Sequence, residues 1–304
     1  METLKTSSKL GRTIAKEDKV FYVVVYTVLG IIGVLALYPL IYVLSSSFSS
    51  PGAVTAGRVV LWPVDFSLEG YKAVFVNKQV GTGYINSFLY TVFGTLLNIA
   101  MTLIAAYPLS RPDLPYKSPI MAMFTFTMIF SGGMIPSYIL IQKLGIMNTR
   151  LAMIIPGALS VYNMIITRTF MQNSIPIEIL ESAKIDGCSD IRYFFSMILP
   201  LSKAVIAVIA LYYAVGHWNA YFNAFLYLND RNLYPLQIVL RDILVVNKID
   251  PSTLVDEDTL LAKQGLADLL KYSLIVVSCA PIIAFYPFIQ KYFVKGVMIG
   301  SIKG

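Results

Sequence analysis

The sequence predicts an all-α, polytopic membrane protein of six transmembrane helices. Three observations carry this: 57% of the 304 residues are hydrophobic against 13% charged, the mean hydropathy is +0.69, and the apolar residues come in long blocks. An ordinary soluble domain is about 45–50% apolar and about 25% charged, whereas about 20 apolar helical residues cross a hydrocarbon core of roughly 30 Å. Lipid is therefore the solvent this chain is built for.

The elements follow in order. Residues 1–19 read as a cytoplasmic tail, basic from Lys5 to Lys19. The apolar run Val20–Leu44 is longer than the roughly 7 to 15 apolar residues of a secretory signal, and no A-x-A cleavage site follows it. It is expected to be an uncleaved first helix. Further apolar blocks predict spans at Tyr84–Leu109, Ser118–Ile141, Leu151–Met171, Leu201–Leu228 and Leu269–Ile289, which makes residues 20–289 one membrane domain. Residues 290–304 form a second tail. The polar stretches 45–83 and 229–268 should share the outer side, and 173–200 should lie inside. With both termini in the cytoplasm, more than half of the 24 Lys and Arg fall on inside segments, as the positive-inside rule requires.

Composition also excludes function classes. The net charge of +7 is spread over the ends of apolar runs rather than gathered into a patch, so topology accounts for it and nucleic acid is not an expected partner. Cys188 and Cys279 are far apart, with no CxxC or Cys/His spacing; they read as small core-filling residues, and no metal site is expected. The predicted spans contain no Asp or Glu, the residues on which proton- or sodium-coupled carriers commonly rely. The chain lacks G-x-x-x-x-G-K-[ST], so it cannot cradle ATP phosphates itself. Energy must come from a partner.

The segment NSIPIEILESAKIDGCSDIRYFFSMILP, Asn173–Pro200, is the most informative. Ser174 can cap, Pro176 suits a first helical turn, and Glu178 and Glu181 complement the helix dipole. Gly187 supplies the stop. A helix over about Ile177–Asp186 is predicted, with Ile177, Leu180, Glu181 and Lys184 on one stripe and Ile179, Ala183 and Asp186 on another. Ser189 and Asp190 restart the chain toward Pro200.

Within that segment, Glu181-Ser182-Ala183-x-x-Asp186-Gly187 and then Ile198-Leu199-Pro200 resemble the EAA loop of binding-protein-dependent ABC permeases. Ser182 and Cys188 depart mildly from the family's small alanines. The tail Gln290–Gly296 to Ile302-Lys303-Gly304 resembles the end of the second permease subunit of maltose-type importers. Ser131-Gly132-Gly133-Met134-Ile135-Pro136, Gly216-His217-Trp218-Asn219 and Leu228-Asn229-Asp230-Arg231 resemble the branch serving lipoprotein-linked and polysaccharide-derived oligosaccharide uptake. The resemblance spans roughly Tyr84–Gly304.

It implies a type I ABC importer permease fold in a bacterial cell (inner) membrane, forming half of a path for a sugar or oligosaccharide. Glu181, Ser182, Ala183, Asp186 and Gly187 would then couple to an ATPase, with Ile302, Lys303 and Gly304 reaching between two ATP-binding subunits. The implied partners are those two subunits, which would carry ATP and Mg while this chain binds no cofactor, a second homologous permease, an extracellular solute-binding protein, membrane lipid and the carbohydrate itself.

The fifth predicted span carries His217, Trp218, Asn219, Tyr221, Asn223 and Tyr227. Polar groups in a membrane helix cost free energy unless they are paired or wet. They therefore either line a translocation path, bond helix to helix, or sit in an interfacial aromatic belt. Asn219 and Asn223, spaced i and i+4, are the best pair for a sugar hydroxyl. His217 has no Ser, Cys or carboxylate partner nearby in sequence and reads as structural rather than catalytic. The rival to a transport subunit is a membrane-embedded enzyme built on His217, Trp218 and Asn219, or an assembly protein without a path.

Overall fold

The computed structural model describes residues 16–243, 267–284 and 287, and no strand occurs among them. The first helix, α1 (Lys16–Ser47), runs about 48 Å at 1.5 Å per residue. None of its apolar stretch is buried in the single chain, with exposed apolar residues from Val20 and Phe21 to Leu40 and Ile41. A helix apolar all round belongs in lipid or against other helices. Only its last turns join the body. There Ser45 Oγ donates to Leu61 O (2.6 Å) and Ser49 Oγ to Ser45 O (2.7 Å), closing a loop that holds the short helix α2 (Pro51–Thr55), started by Ser50.

After α3 (Glu69–Val76) comes α4 (Lys78–Ser110), the long unbroken helix on which most of the others pack. Its two ends define the molecule. The Lys78 end carries a core in which Val74, Val80, Trp218, Leu236, Val239 and Leu274 meet. The Ser110 end carries a second core in which Leu103, Ala106, Leu109, Met164, Leu180 and Tyr193 meet. The predicted outer segments 45–83 and 229–268, as far as they are described, gather at the Lys78 end, and the 173–200 segment gathers at the opposite one.

Several predicted spans are not single helices. The third divides into α5 (Lys117–Ile129) and α6 (Met134–Lys143), bent by 110°. The break falls at Ser131-Gly132-Gly133, where Gly133 takes φ 86°, a left-handed value that glycine alone adopts cheaply. The fourth divides into α7 (Leu151–Ile154) and α8 (Val161–Ser174) around Pro156 and Gly157, and Ser160 Oγ starts α8.

The 173–200 segment holds α9 (Ile177–Ile185) and α10 (Asp190–Tyr193). A π-helical turn (Phe194–Ile198) leads to α11 (Leu199–Leu201), and the chain then bends 79° into α12 (Lys203–Trp218). The predicted fifth span ends there: Asn219 and Ala220 are non-helical, and α13 (Tyr221–Tyr227) starts afresh. A 3-10 turn (Arg231–Leu233), α14 (Leu236–Arg241) and α15 (Ala267–Ala284) complete the described chain. Among the described residues, three helices are long and apolar enough to cross a membrane alone, or five if each bent pair counts as one span. Hydropathy averages over a window and is blind to a Gly-Gly or Pro-Gly break inside it, which is why the unbroken spans were expected.

Side chains on α4 meet the breaks. Asn98 donates to Gly157 O (2.8 Å) in the α7–α8 break and pairs with His217 Nε2 at 2.6 Å. Thr102 Oγ1 meets Tyr213 OH (2.7 Å), and that hydroxyl accepts from Ser160 N (3.2 Å). The α4–α12 approach is close at Gly94, where an added Cβ would lie 2.4 Å from the His217 ring. Of the two cysteines, Cys188 packs half-buried against the α9 core. Cys279 is exposed in the single chain, contrary to its expected core position.

Replacing Gly94 with Ala should overpack this contact and cost about 1–3 kcal/mol. Gly81→Ala, on the same helix with nothing within 4 Å, should cost nothing. Thermal unfolding of the detergent-solubilised proteins checks the difference.

Candidate coupling site

The α9 helix is built as predicted at one end and differently at the other. At its C-terminus Gly187 takes φ 69°. The amide of Cys188 donates to Ala183 O (2.9 Å), and that of Gly187 donates to Lys184 O (3.1 Å). These crossed bonds satisfy carbonyls that the helix end would otherwise leave open. An added Cβ would meet nothing within 4 Å, so backbone conformation rather than space demands the glycine. At the N-terminus, Ser174 belongs to the end of α8 and does not cap. Pro176 takes the capping position with no side-chain bond, leaving Glu178 to complement the first turn.

One side of α9 is built into the chain's own core. Leu180 and Ala183 are buried, with Met171, Tyr193 and Ile198 in the same cluster. Ala183, expected among the coupling residues, therefore faces inward, because the helix turns Leu180 and Ala183 to one side at i, i+3 spacing. Glu178, Glu181, Ser182, Ile185 and Asp186 are exposed on the other side. Ile185 stands out at 87% exposure, an apolar side chain held in water among acidic and polar neighbours.

An ion-pair clamp that sequence reasoning missed fixes this helix. Arg111, at the end of α4, makes a two-pronged contact with Asp113: Nε to Oδ1 at 2.8 Å and Nη2 to Oδ2 at 2.7 Å. Its Nη1 reaches Asp190 Oδ1 at 2.8 Å and Tyr107 OH at 3.0 Å. Lys184 Nζ, from α9, donates to Asp113 Oδ2 at 2.9 Å. The Arg111 side chain is only 12% exposed, and planar two-pronged guanidinium–carboxylate contacts hold orientation as well as charge. Arg168 Nε adds a bond to Leu109 O (2.9 Å). The sole signal was Asp113 standing as an isolated acid in the short loop after Arg111. Its partner Lys184 lies 71 residues on, beyond any local pattern.

The hydrogen bonds from Arg111, then from Lys184, hold the Asp113 carboxyl well below the usual carboxylate range. The bond to Asp113 in turn raises Arg111 further above its ordinary value. Exposed pairs contribute about 0–1 kcal/mol each, so the clamp acts chiefly by position: it ties the end of α4, the loop after it, α9 and α10 into one body.

Against this geometry the comparisons are decisive. Residues 113–299 match the family described as the binding-protein-dependent transport system inner membrane component. The chain belongs to this family. It is 38% identical over 288 residues to the polygalacturonan/rhamnogalacturonan transport system permease protein YtcP of Bacillus subtilis (strain 168), covering 95% of this chain and 100% of the relative. It is 39% identical over 289 residues to Protein LplC of the same organism, covering 95% and 97%. A chain in the crystal structure of a bacterial ABC transporter involved in the import of the acidic polysaccharide alginate is similar in fold. It superposes with a TM-score of 0.84 at 34% identity, covering 92% of this chain and 98% of that one. The chain is thus a transport permease and not an enzyme, which removes the membrane-enzyme rival.

In this permease the polar set of the predicted fifth span is dispersed. Trp218 is buried: its Nε1 donates to Ser278 O (3.0 Å), and its ring meets Tyr84 edge-on at 5.5 Å. His217 is spent on Asn98. These two make the helix-to-helix bonds that were one of the alternatives. Asn219 Nδ2 donates to Val215 O (3.0 Å) in its own helix, and Asn219 and Tyr221 are exposed while Asn223 is half-buried. The break at Asn219–Ala220 puts Asn219 and Asn223 on different elements, so the expected i, i+4 stripe does not exist. Ile302, Lys303 and Gly304 lie outside the described residues.

A carboxyl whose folded pKa is depressed contributes stability above its unfolded pKa of about 3.9, and loses it as pH falls through the folded value. The stability difference between the native chain and Asp113→Asn should therefore be constant from about pH 8 to about pH 5. It should shrink only below about pH 4, as thermal unfolding across that range would record.

Proposed function

We propose that this permease forms half of the pathway of an ATP-driven importer for an oligosaccharide, delivered by an extracellular solute-binding protein. A second homologous permease completes the pathway, and two ATP-binding subunits, carrying ATP and Mg, drive it. The observation that carries the reading is the two-sided build of α9: Leu180 and Ala183 belong to the chain's own core, while Glu181, Ser182, Ile185 and Asp186 are exposed on the outward face. A helix locked to its own body on one side and bare on the other can pass a partner's motion inward as a rigid unit. Gly187 holds its end, and the tail residues Ile302, Lys303 and Gly304 are proposed to reach the same partners.

The topology that goes with this reading has six crossings, both termini in the cytoplasm and α9 on the cytoplasmic face. Each bent pair, α5 with α6 and α10–α11 with α12, counts as one crossing, and α7 with α8 as another. The relative YtcP belongs to a polygalacturonan/rhamnogalacturonan transport system, and the more distant relative GanQ to a galactooligosaccharide transport system, which supports an oligosaccharide as the substrate. The solved alginate importer takes an acidic polysaccharide, so uronate-containing oligosaccharides come first among candidates. Asn219, Tyr221 and Asn223, around the α12–α13 break, are the proposed sugar contacts on this chain; His217 and Trp218 support them from behind.

Glu181→Lys combined with Ile185→Asp should abolish co-purification with the cognate ATPase and leave the melting temperature of the permease unchanged. Leu180→Asp should instead unfold the α9 region, at a cost of about 2–5 kcal/mol for a lost core leucine. If the double variant still carries its ATPase down, the coupling role of this face is wrong. Asn219→Ala with Asn223→Ala should keep the ATPase bound while slowing uptake of labelled oligosaccharide by about tenfold, the loss of roughly 1.4 kcal/mol of hydrogen bonding. Unchanged uptake would move the sugar contacts elsewhere.

A further inference from the structure

A cavity of about 300 Å³ opens between the Ser110 end of α4, the start of α5, the end of α8 and α9. Its lining mixes the polar Arg111, Lys117 and Gln172 with the apolar Ile175, Ile177 and Ile198, and no Asp or Glu is among the residues that line it. Arg111 is saturated by Asp113 and Asp190. Lys117 is not: its ammonium donates to Arg111 O at 3.0 Å and has no carboxylate within ion-pair distance among the described residues. Arg168 of α8 likewise bonds a carbonyl, Leu109 O, through Nε. Two cations with carbonyl partners only leave this corner with uncompensated positive charge, which an anion would relieve.

The position selects the kind of anion. On the topology proposed above, the end of α4 and the start of α5 that line the cavity lie at the cytoplasmic membrane surface, and basic pockets between membrane helices attract anionic headgroups. We propose that this cavity binds the headgroup of an anionic phospholipid: the phosphate meets Lys117, the glycerol lies against Gln172, and the acyl chains run into the bilayer beside α5, which starts at Lys117 and has no buried residue. The volume suits a phosphoglycerol group and not a chain. Because Ile177 and Leu180 of α9 line the same cavity, a seated headgroup bears directly on the coupling helix, so lipid charge tunes how firmly α9 is held. This goes beyond transport itself and does not depend on the sugar.

The test uses the full permease chain, delipidated in neutral detergent without any ATPase, so its outcome is independent of the coupling reading. Retained lipid is counted by native mass spectrometry, and the melting temperature is followed against dioleoylphosphatidylglycerol, dioleoylphosphatidylcholine and inorganic phosphate. Phosphatidylglycerol should bind at one saturable site and raise the melting temperature, with phosphatidylcholine and phosphate weaker. Lys117→Gln should weaken it about fivefold, the weight of one basic side chain toward an anionic surface, and Lys117→Arg should restore it. Lys143→Gln, at the C-terminal end of α6 and outside the cavity lining, should change nothing. Ile175→Trp, which fills the cavity from its apolar lining, should also expel the lipid and serves if Lys117→Gln does not fold. Equal binding by the native chain and by Lys117→Gln or Ile175→Trp would mean a non-specific lipid shell and overturn the proposal. Phosphate binding as tightly as phosphatidylglycerol would overturn it in favour of a free-anion site.

Discussion

The fold depends on one continuous helix supplying hydrogen bonds to helices that are broken. A break in a membrane helix frees backbone amides and carbonyls that hydrocarbon cannot satisfy, so it survives only where protein groups take them up. On α4, Asn98 holds Gly157 O in the α7–α8 break. Asn86 and Tyr90 hold the carbonyls of Asn232, Tyr234 and Leu233 in the turn after α13. Ser87 Oγ accepts the amide of Leu236 that opens α14. Thr102 acts through Tyr213, whose hydroxyl receives Ser160 N. The α7–α8 break and the turn after α13 are not loosely placed; both are tied to α4.

That arrangement separates two kinds of polar residue. Asn98, His217 and Trp218 are costly inside a membrane protein and are satisfied internally, so they position helices. Asn219, at the C-terminus of α12, needs only its own Val215 carbonyl and stays outward. Asn148 shows the same economy at the far end: with φ 55° its side-chain oxygen accepts both Asn229 N and Asp230 N, joining the α6–α7 turn to the chain beyond α13. Helix breaks thus become places where surface polar groups can gather without a buried penalty.

At the opposite end, charge replaces the neutral polar tie. Arg111 gathers Asp113 and Asp190, and Lys184 closes onto Asp113, so α9 is clamped to the same helix that organises the membrane part. Displacement of α9 would have to carry α4 or break these pairs. The buried face of Leu180 and Ala183 makes the first route the cheaper one, since separating that core exposes apolar surface at about 25 cal/mol per Å².

The sequence by itself determined the solvent, the helical class, the place of α1 and α4, the α9 helix with its Gly187 stop, and the transport family. Each rests on local information: apolar run length, a capping pattern, a glycine at a left-handed position, a short motif. Tertiary structure alone decided the inward turn of Ala183, the role of His217 and Trp218 as helix ties, the separation of Asn219 from Asn223, and the clamp on Asp113. Those depend on residues about 60 to 120 positions apart meeting in space, as Trp218 meets Ser278 and Asn98 meets His217. They depend too on glycine and proline breaks that a hydropathy window averages away. Periodicity says which side of a helix is apolar, but only packing says what stands opposite it.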